Sequence, residues 1–357
     1  MIRCQTLSWG APGQPLTLPL TLSLEHGSLS AIIGANGCGK SSLLKVIAGL
    51  QKPLSGKVAL GVPRQGGLAF LPQQQHLDRQ FPISLEELVA AGFWGRRLST
   101  QLRAQRLANA LENWHLGGLE QRPLMALSGG ELQRALLARM SLTDSPVLLL
   151  DEPLSALDAN LRKSIQNELK LLQRELGITF VFVTHAQSEA LALSDRIVVM
   201  NAGRVEQISP PRELYTRPQS LFVSRFIGAN TLIPGVVKDL NGEGVILDTA
   251  FGILTGEKHD RLALGDQASL ILPAESVDIL PADVSPEEAR KTYGTNMIPC
   301  QITRAQLIGH ILQMAVQLPN GDIIAVEGHA DKYRGQFAAG AQGFVAWQAL
   351  RSTVIKH

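Results

Sequence analysis

One segment near the start of the chain constrains the fold more than any other, a glycine-rich loop between a strand and a helix. An apolar run at residues 29–33 leads into the loop, and the helix-forming residues Lys40–Ala48 follow it. The loop sequence is Gly34-Ala35-Asn36-Gly37-Cys38-Gly39-Lys40-Ser41, followed by Ser42, and it matches the phosphate-loop pattern. Strand, loop and helix in this order predict an α/β fold.

The residue types in this loop suit phosphate binding. Glycines let successive N–H groups turn toward phosphate oxygens, and the helix N-terminus adds the positive end of its dipole. We expect Lys40 to reach the β- and γ-phosphates of a nucleotide and the Ser41 hydroxyl to ligate Mg²⁺. The simpler alternative is a flexible glycine loop, which the strand and helix on either side disfavour. Cys38 stands at a free position of the pattern and is interpreted as a small filler.

Length and composition limit the classes of protein that remain. At 357 residues the chain exceeds the usual size of a single core, so two domains are expected. The net charge of +2 and the 5% of aromatic residues give no basic, base-stacking surface, so no nucleic-acid partner is expected. Three widely spaced cysteines fit no disulfide framework, and no signal peptide or membrane-spanning run is found. A cytoplasmic setting follows.

The pattern of apolar residues changes along the chain. Alternation at residues 16–24 predicts an antiparallel β-region, and residues 84–114 predict a helical insert that begins with a Ser84–Glu87 capping box. Alternating strands and helices at residues 147–183 predict a parallel sheet. Beyond residue 228, short β-branched runs and turn residues predict an all-β domain of small-barrel type. The predicted domains are therefore residues 1–228 and 229–357.

Two carboxylates follow the apolar run at residues 147–150. Ligands of open parallel sheets collect at the carboxyl ends of strands, so Asp151 is placed to hold Mg²⁺. Glu152 is placed to polarise an attacking water, because phosphoryl transfer needs positioning and charge stabilisation more than covalent chemistry. A solvated acidic turn is the alternative, and the phosphate loop argues against it.

The segment Leu127-Ser128-Gly129-Gly130-Glu131-Leu132-Gln133-Arg134 points to a second phosphate-binding nest at a helix start. It closely resembles the signature of the ABC transporter ATPases. That resemblance implies that residues 128–131 complete the ATP site of an opposite subunit, so that ATP lies between two chains. A plain N-capped helix is the alternative.

Further positions match the same family in the same order. The resemblance implies that Gln73 contacts Mg²⁺ together with Ser41 and Asp151, and that His185 contacts the γ-phosphate beside Glu152. Asp158, in Ser155-Ala156-Leu157-Asp158, stands where the family loop crosses the dimer interface, and it is also a helix cap. Trp9 stands where the family places an aromatic ring against adenine, with a core tryptophan as the alternative.

Two subfamilies are resembled by different parts of the chain. Residues 151–228 resemble the spermidine/putrescine importer ATPases, and the following residues resemble their appended regulatory β-barrel, an OB-like domain called TOBE. In that barrel Leu272 takes the usual place of an arginine before Pro273. Residues 71–73, 78–83 and 87–89 look more like zinc and manganese importer ATPases. Polyamine and metal ion are therefore both candidate cargoes.

The resemblance implies an ATP-hydrolysing importer subunit that binds ATP and Mg²⁺. Its expected partners are a second ATPase subunit in a homodimer, integral membrane permease subunits and, indirectly, a solute-binding protein, which places it at the cytoplasmic face of the cell membrane. Leu77, Phe81 and Phe93 are the candidate permease-coupling surface, with an ordinary core as the alternative. A soluble ABC ATPase of repair or translation would need tandem ATPase domains, a coiled coil or a basic face. A small-molecule kinase would leave residues 128–134 without a role.

Overall fold

The computed structural model describes residues 1–11, 13–73, 78–242, 244–259, 262–333 and 338–357. They form two compact units, Met1–Arg212 and Glu213–His357. The boundary predicted after Gly228 remains a prediction. Within the described part of the chain, no helix combines the length and apolarity needed to cross a membrane.

The first unit alternates strands and helices, as the pattern at residues 147–183 predicts. In chain order the elements are β1 Ile2–Ser8, β2 Gly10–Ala11, β3 Gln14–Pro15, β4 Leu20–Leu24, β5 Leu29–Gly34, α1 Lys40–Ala48, β6 Ser55–Leu60, α2 Arg64–Gly67, β7 Leu68–Leu71, α3 Leu85–Ala90, α4 Thr100–Asn113, α5 Gly129–Ser141, β8 Val147–Asp151, α6 Ala159–Leu176, β9 Thr179–Val183, α7 Gln187–Leu193, β10 Arg196–Asn201 and β11 Arg204–Ser209. Helix α8, Pro211–Thr216, contains the boundary between the units.

Two sheets organise this unit. A three-stranded antiparallel sheet has the order β4-β1-β6, and a six-stranded sheet has the order β11-β10-β5-β9-β8-β7. All neighbours in the larger sheet are parallel except β10 and β11. Strands β5, β8 and β9 are buried along their whole length, as expected for a sheet covered on both faces. The predicted parallel sheet and antiparallel β-region are confirmed.

Local signals account for the ends of the elements around the phosphate loop. Gly39 and Gly49 adopt left-handed conformations on either side of α1, which therefore begins and ends as predicted. The Ser84–Glu87 capping box at α3 is present in both directions. Strand β4 is shorter than the predicted strand at residues 16–24, because it begins only after Pro19, which cannot donate to the ladder.

The second unit is built almost entirely from strands. Its elements are α9 Leu221–Phe226, β12 Asn230–Asn241, β13 Gly244–Thr249, β14 Gly252–Lys258, β15 Gln267–Pro273, β16 Asp278–Pro281, α10 Pro286–Tyr293, β17 Met297–Ile308, β18 Ile311–Gln317, β19 Ile323–His329, β20 Gln342–Ala346 and β21 Thr353–Lys356. Strands β12-β13-β14-β21-β15 close a barrel, and β16-β20-β17-β18-β19 form a second sheet. Both share one hydrophobic core around Trp347. The predicted all-β barrel domain is confirmed.

Candidate active site

The carboxyl ends of four neighbouring parallel strands bring several of the predicted site residues together. In the order β5-β9-β8-β7, the chain leaves these strands into the phosphate loop, the His185 turn, the Asp151-Glu152 pair and the Gln73 segment. Residues that lie far apart in the sequence therefore meet at one edge of the sheet, where ligands of this architecture bind.

The phosphate loop is held closed by its own lysine. Lys40 is 7% exposed, and its Nζ donates to the carbonyl oxygens of Gly34 at 3.0 Å and Ala35 at 2.9 Å. These two hydrogen bonds offset the cost of burying the ammonium group. The lysine side chain therefore lies along the loop.

Gly34 is the position in the loop where the fold leaves the least space for a side chain. Its φ is +152°, and a Cβ at this position would overlap the Met200 carbonyl oxygen of neighbouring β10. Gly37 also has positive φ, at +77°, but a Cβ there would enter open space. The two glycines therefore differ in steric surroundings while sharing an unusual backbone conformation.

We expect Gly34→Ala to lower the free energy of unfolding by about 2–4 kcal/mol, because the backbone of two central strands must separate. Gly37→Ala is the matched control and should cost only about 1 kcal/mol of conformational strain. Chemical denaturation of the nucleotide-free chain measures both values. Equal losses would show that the contact with β10 does not decide the residue at position 34.

Asp151 has the environment of a metal ligand. It is 2% exposed at the end of β8, and its Oδ1 accepts a hydrogen bond from the Ser41 hydroxyl at 2.8 Å. Burial raises the pKa of the carboxyl group, and the Ser41 hydrogen bond opposes that shift. Hydroxyl and carboxylate oxygens are hard donors that suit Mg²⁺, so the residues fit the expected metal.

Glu152 lies at the centre of the predicted catalytic group. Its Oε2 accepts a hydrogen bond from Gln73 Nε2 at 2.7 Å and lies 3.5 Å from His185 Nδ1. Its backbone has φ +51°, which is uncommon for a residue with a side chain, and its N–H donates to the Val183 carbonyl at 3.0 Å. Such strain is concentrated at functional sites, where it aims a side chain that a relaxed turn would direct elsewhere.

These groups surround a cavity of about 580 Å³, within the range of small-ligand sites. Its lining residues are Leu16, Asn36, Gly37, Gly39, Lys40, Ser41, Ser42, Gln73, Glu152 and His185. Cys38 is buried inside the loop, and burial raises the pKa of its thiol, in keeping with a filler role. A larger cavity of about 690 Å³ lies in the helical insert beside α4, but phosphate-loop residues do not line it.

Trp9 does not lie where the family resemblance placed it. Its side chain is fully buried in the core, and its ring packs beneath Gly39, where an added Cβ would meet Trp9 Cζ2 at 3.3 Å. It therefore presents no face for adenine stacking, and the expectation of an adenine contact is corrected to a core tryptophan. Leu16 lines the cavity instead. It belongs to an alternating apolar stretch, which gave no signal for a ligand contact.

The signature segment begins helix α5 and lies apart from this cavity. Ser128 is the N-cap, and its Oγ accepts from the Glu131 N–H at 3.2 Å while the Ser128 N–H donates to Glu131 Oε2 at 2.7 Å. None of the described residues that line the cavity comes from residues 127–134. Ser128 therefore caps this helix, as the simpler alternative predicts. Gly129 is exposed and Gly130 is half-exposed at the helix start.

The loop at residues 155–158 packs against the same helix start. A Cβ on Gly130 would lie 3.4 Å from the Ala156 carbonyl oxygen, and Gln133 Nε2 donates to the Pro153 carbonyl at 2.9 Å. Asp158 caps α6 by accepting from the N–H groups of Asn160 and Leu161. The signature helix and the segment after Glu152 are thus mechanically connected.

Several known proteins are similar to this chain. The ABC transporter family matches residues 18–155. The spermidine/putrescine import ATP-binding protein PotA of Rubrobacter xylanophilus is 34% identical over 347 residues, covering 94% of this chain and 88% of the relative. PotA of Marinobacter nauticus is 40% identical over 280 residues, covering 76% of this chain and 74% of the relative.

The chain therefore belongs to the family of ABC transporter ATP-binding subunits, and it is an ATPase that uses ATP with Mg²⁺. Both of these curated relatives are spermidine/putrescine import ATP-binding proteins of the PotA type. Among solved structures, cbiO1 of Clostridium perfringens, part of the transporter complex cbiONQ, has a TM-score of 0.55 at 27% identity, covering 63% of this chain and 92% of that one. A dimeric ATP-binding cassette with ADP and phosphate has a TM-score of 0.53 at 26% identity, covering 59% of this chain and 99% of that one.

Proposed function

We propose that this chain energises polyamine import by binding MgATP at the phosphate loop and hydrolysing it with Glu152. The observation that carries the proposal is the meeting of Lys40, Ser41, Gln73, Glu152 and His185 around one cavity at the carboxyl edge of the parallel sheet. Their chemistry covers phosphate binding, metal binding and activation of water, which are the requirements of phosphoryl transfer to water.

Binding and hydrolysis use different groups in this site. The loop amides of residues 34–39 and the Lys40 ammonium group bind the phosphates, with Ser42 at the same helix start. Ser41, Asp151 and the Gln73 amide oxygen are the candidate Mg²⁺ ligands, and the bound ion would offset phosphate charge. Gln73 donates to Glu152 through Nε2, so its amide oxygen is the atom assigned to the metal.

Glu152 is the candidate group that polarises the attacking water. Its carboxylate is held by Gln73 on one side and lies near His185 on the other, so its position depends on both. His185 is the candidate γ-phosphate contact. The imidazole is exposed toward the cavity and is therefore within reach of a ligand there.

A second copy of the chain completes each site in this proposal. The start of helix α5 does not line the cavity of its own chain; it is formed by Ser128, Gly129, Gly130 and Glu131. Asp158 lies on the loop that packs beside this helix start. Two solved structures similar to this chain are dimeric cassettes. The specific ATPase activity of the isolated chain should accordingly rise with protein concentration.

The proposed membrane partners are permease subunits that contact the helical insert. This chain would then lie peripherally at the cytoplasmic face of the membrane. A solute-binding protein would act on it through the permease. Phe81, which lies just before the insert, is 58% exposed, as a docking residue must be. Phe93 is 2% exposed beneath the guanidinium groups of Arg103 and Arg106, so its assignment to the coupling surface is wrong and it belongs to the core. Leu77 lies outside the described residues.

Phe81→Glu should abolish transport while ATP affinity and thermal stability stay at parent values. Burial of an aromatic anchor is worth about 2 kcal/mol or more at an interface, and a carboxylate there must also be desolvated. Leu171→Glu, on an exposed position of α6 outside the insert, is the matched control. Parent-level uptake by the Phe81→Glu variant would remove Phe81 from the coupling surface.

The cargo assignment follows the PotA relatives, whose names specify spermidine and putrescine. Uptake of labelled spermidine by cells that lack the chain tests it directly. We expect uptake to return with the parent chain and not with Lys40→Ala. If spermidine uptake is unaffected while zinc or manganese uptake fails, the metal-ion alternative holds and the polyamine assignment is wrong.

A further inference from the structure

A chain of side-chain contacts runs from the loop at residues 155–158 toward His185. Arg162, in the first turn of α6, donates from Nη2 to the Leu157 carbonyl oxygen at 2.9 Å. Its Nε lies 3.4 Å from Oε1 of Glu189 in α7, as an ion pair rather than an aligned hydrogen bond. The other oxygen of Glu189 accepts a hydrogen bond from Thr184 Oγ1 at 2.5 Å.

Thr184 in turn holds the backbone on both sides of His185. Its Oγ1 accepts from the Ala186 N–H at 3.0 Å, and its own N–H donates to the Ile32 carbonyl of β5 at 3.3 Å. The Glu189 N–H closes the turn by donating to the Ala186 carbonyl at 3.1 Å. Because the His185 side chain is exposed, the position of its imidazole depends on this turn.

The burial of Glu189 makes these contacts costly to disturb. This residue is 5% exposed, and a buried carboxylate needs both a counter-charge and hydrogen-bond donors. Arg162 supplies the charge and Thr184 supplies a donor. Neither Arg162 nor Glu189 lines the nucleotide cavity, so the roles assigned above do not account for this pair.

We propose that Arg162, Glu189 and Thr184 are positioning residues that transmit the placement of the 155–158 loop to His185. The inference rests on the proposed function, in which this loop faces the second copy of the chain. Seating of that copy fixes the Leu157 carbonyl, and Arg162, Glu189 and Thr184 then set the His185 turn. Hydrolysis is thereby made to depend on dimer closure, whereas nucleotide binding is not.

Thr184→Val tests the step nearest to His185, because valine keeps the shape of threonine and removes the hydroxyl group. We expect kcat for ATP hydrolysis to fall about tenfold at unchanged KM, since a misplaced group affects the reaction more than binding. Thr184→Ser retains the hydroxyl and should restore kcat to within about twofold of the parent. Thermal unfolding of each variant is measured alongside.

Lys170→Met is the matched control for Arg162→Met, because both residues join α6 to α7 but at opposite ends of the two helices. Lys170 Nζ also connects α6 to α7, by donating to the Ala192 carbonyl at 2.8 Å, but it does not contact Glu189 or Thr184. Its kcat and KM should equal the parent values. Arg162→Met should lower kcat like Thr184→Val, and the double variant should lose little more than either single one, because the residues act in series.

Three results would overturn the inference. They are a parent kcat in Thr184→Val, a loss in Thr184→Ser equal to that in Thr184→Val, and fully additive losses in the double variant. If the parent chain is active, any of these three results rejects only the positioning role and leaves the proposed function intact. An inactive parent chain at high concentration rejects both.

Discussion

Replacing Glu152 with glutamine is expected to hold the protein as a closed dimer with ATP trapped between its two copies. Glutamine keeps the size of the side chain and can still accept the hydrogen bond from Gln73, so the geometry at β8 is preserved. It removes the negative charge that polarises water. Loss of such a group typically lowers the rate by 10²- to 10⁴-fold, so ATP should persist in the interface.

Size-exclusion chromatography with and without MgATP measures this effect. The Glu152→Gln variant should elute as a dimer only with MgATP, and removal of a carboxylate near the γ-phosphate should favour that state. Lys40→Ala is the non-binding control. A variant that remains monomeric at saturating ATP, or that hydrolyses ATP at the parent rate, would show that Glu152 is not the catalytic carboxylate.

Lys40→Ala should weaken ATP binding on the order of 10²- to 10³-fold. The lysine is held along the loop by two carbonyls and would exchange them for charge-assisted hydrogen bonds to phosphate, each worth a few kcal/mol. The fold should survive, because truncation also removes the need to solvate the ammonium group. Titration with a fluorescent ATP analogue gives the affinity.

The control for this loss is Lys57→Ala, which removes the same charge from an exposed position in β6. Its ATP affinity should remain within about threefold of the parent, as expected for a distant surface charge screened by salt. Parent affinity in a folded Lys40→Ala variant would mean that the phosphate loop does not bind the nucleotide.

The elements around the site could be predicted because their signals are local. Gly39 and Gly49 delimit α1, Ser84 and Glu87 cap α3, and the continuous apolar run ending at Asp151 marks a strand buried on both faces. The carboxyl ends of parallel strands meet at one edge of the sheet. The order of strands and loops along the chain was therefore enough to predict that the loops after these strands lie together at the cavity.

Residues whose roles depend on burial were harder to predict. Trp9 directly follows β1, and only its burial and the packing of Gly39 above its ring show that it belongs to the core. Leu16 has the pattern of a strand residue but lines the cavity. Phe93 lies in the predicted insert, yet two arginines cover it.

The pairing of distant strands in the second unit could also not be predicted from the sequence. Short β-branched runs and turn residues beyond residue 228 indicated strands, and β18 and β19 pair as a hairpin. Closure of the barrel depends on β21 pairing with both β14 and β15, across a separation that no local pattern records. The same holds for the contact between Arg162 and Glu189, which joins two helices.

The central claim is that each nucleotide site combines Lys40 of one copy with Ser128 of the other. Lys40→Ala and Ser128→Arg should each be nearly inactive alone, because each variant damages both sites of its own dimer. Mixed in equal amounts, they form dimers with one intact site and should regain up to about a quarter of the parent ATPase activity if chains exchange at random. A mixture that stays inactive at every ratio, or a Ser128→Arg variant that is fully active alone, would contradict the composite site.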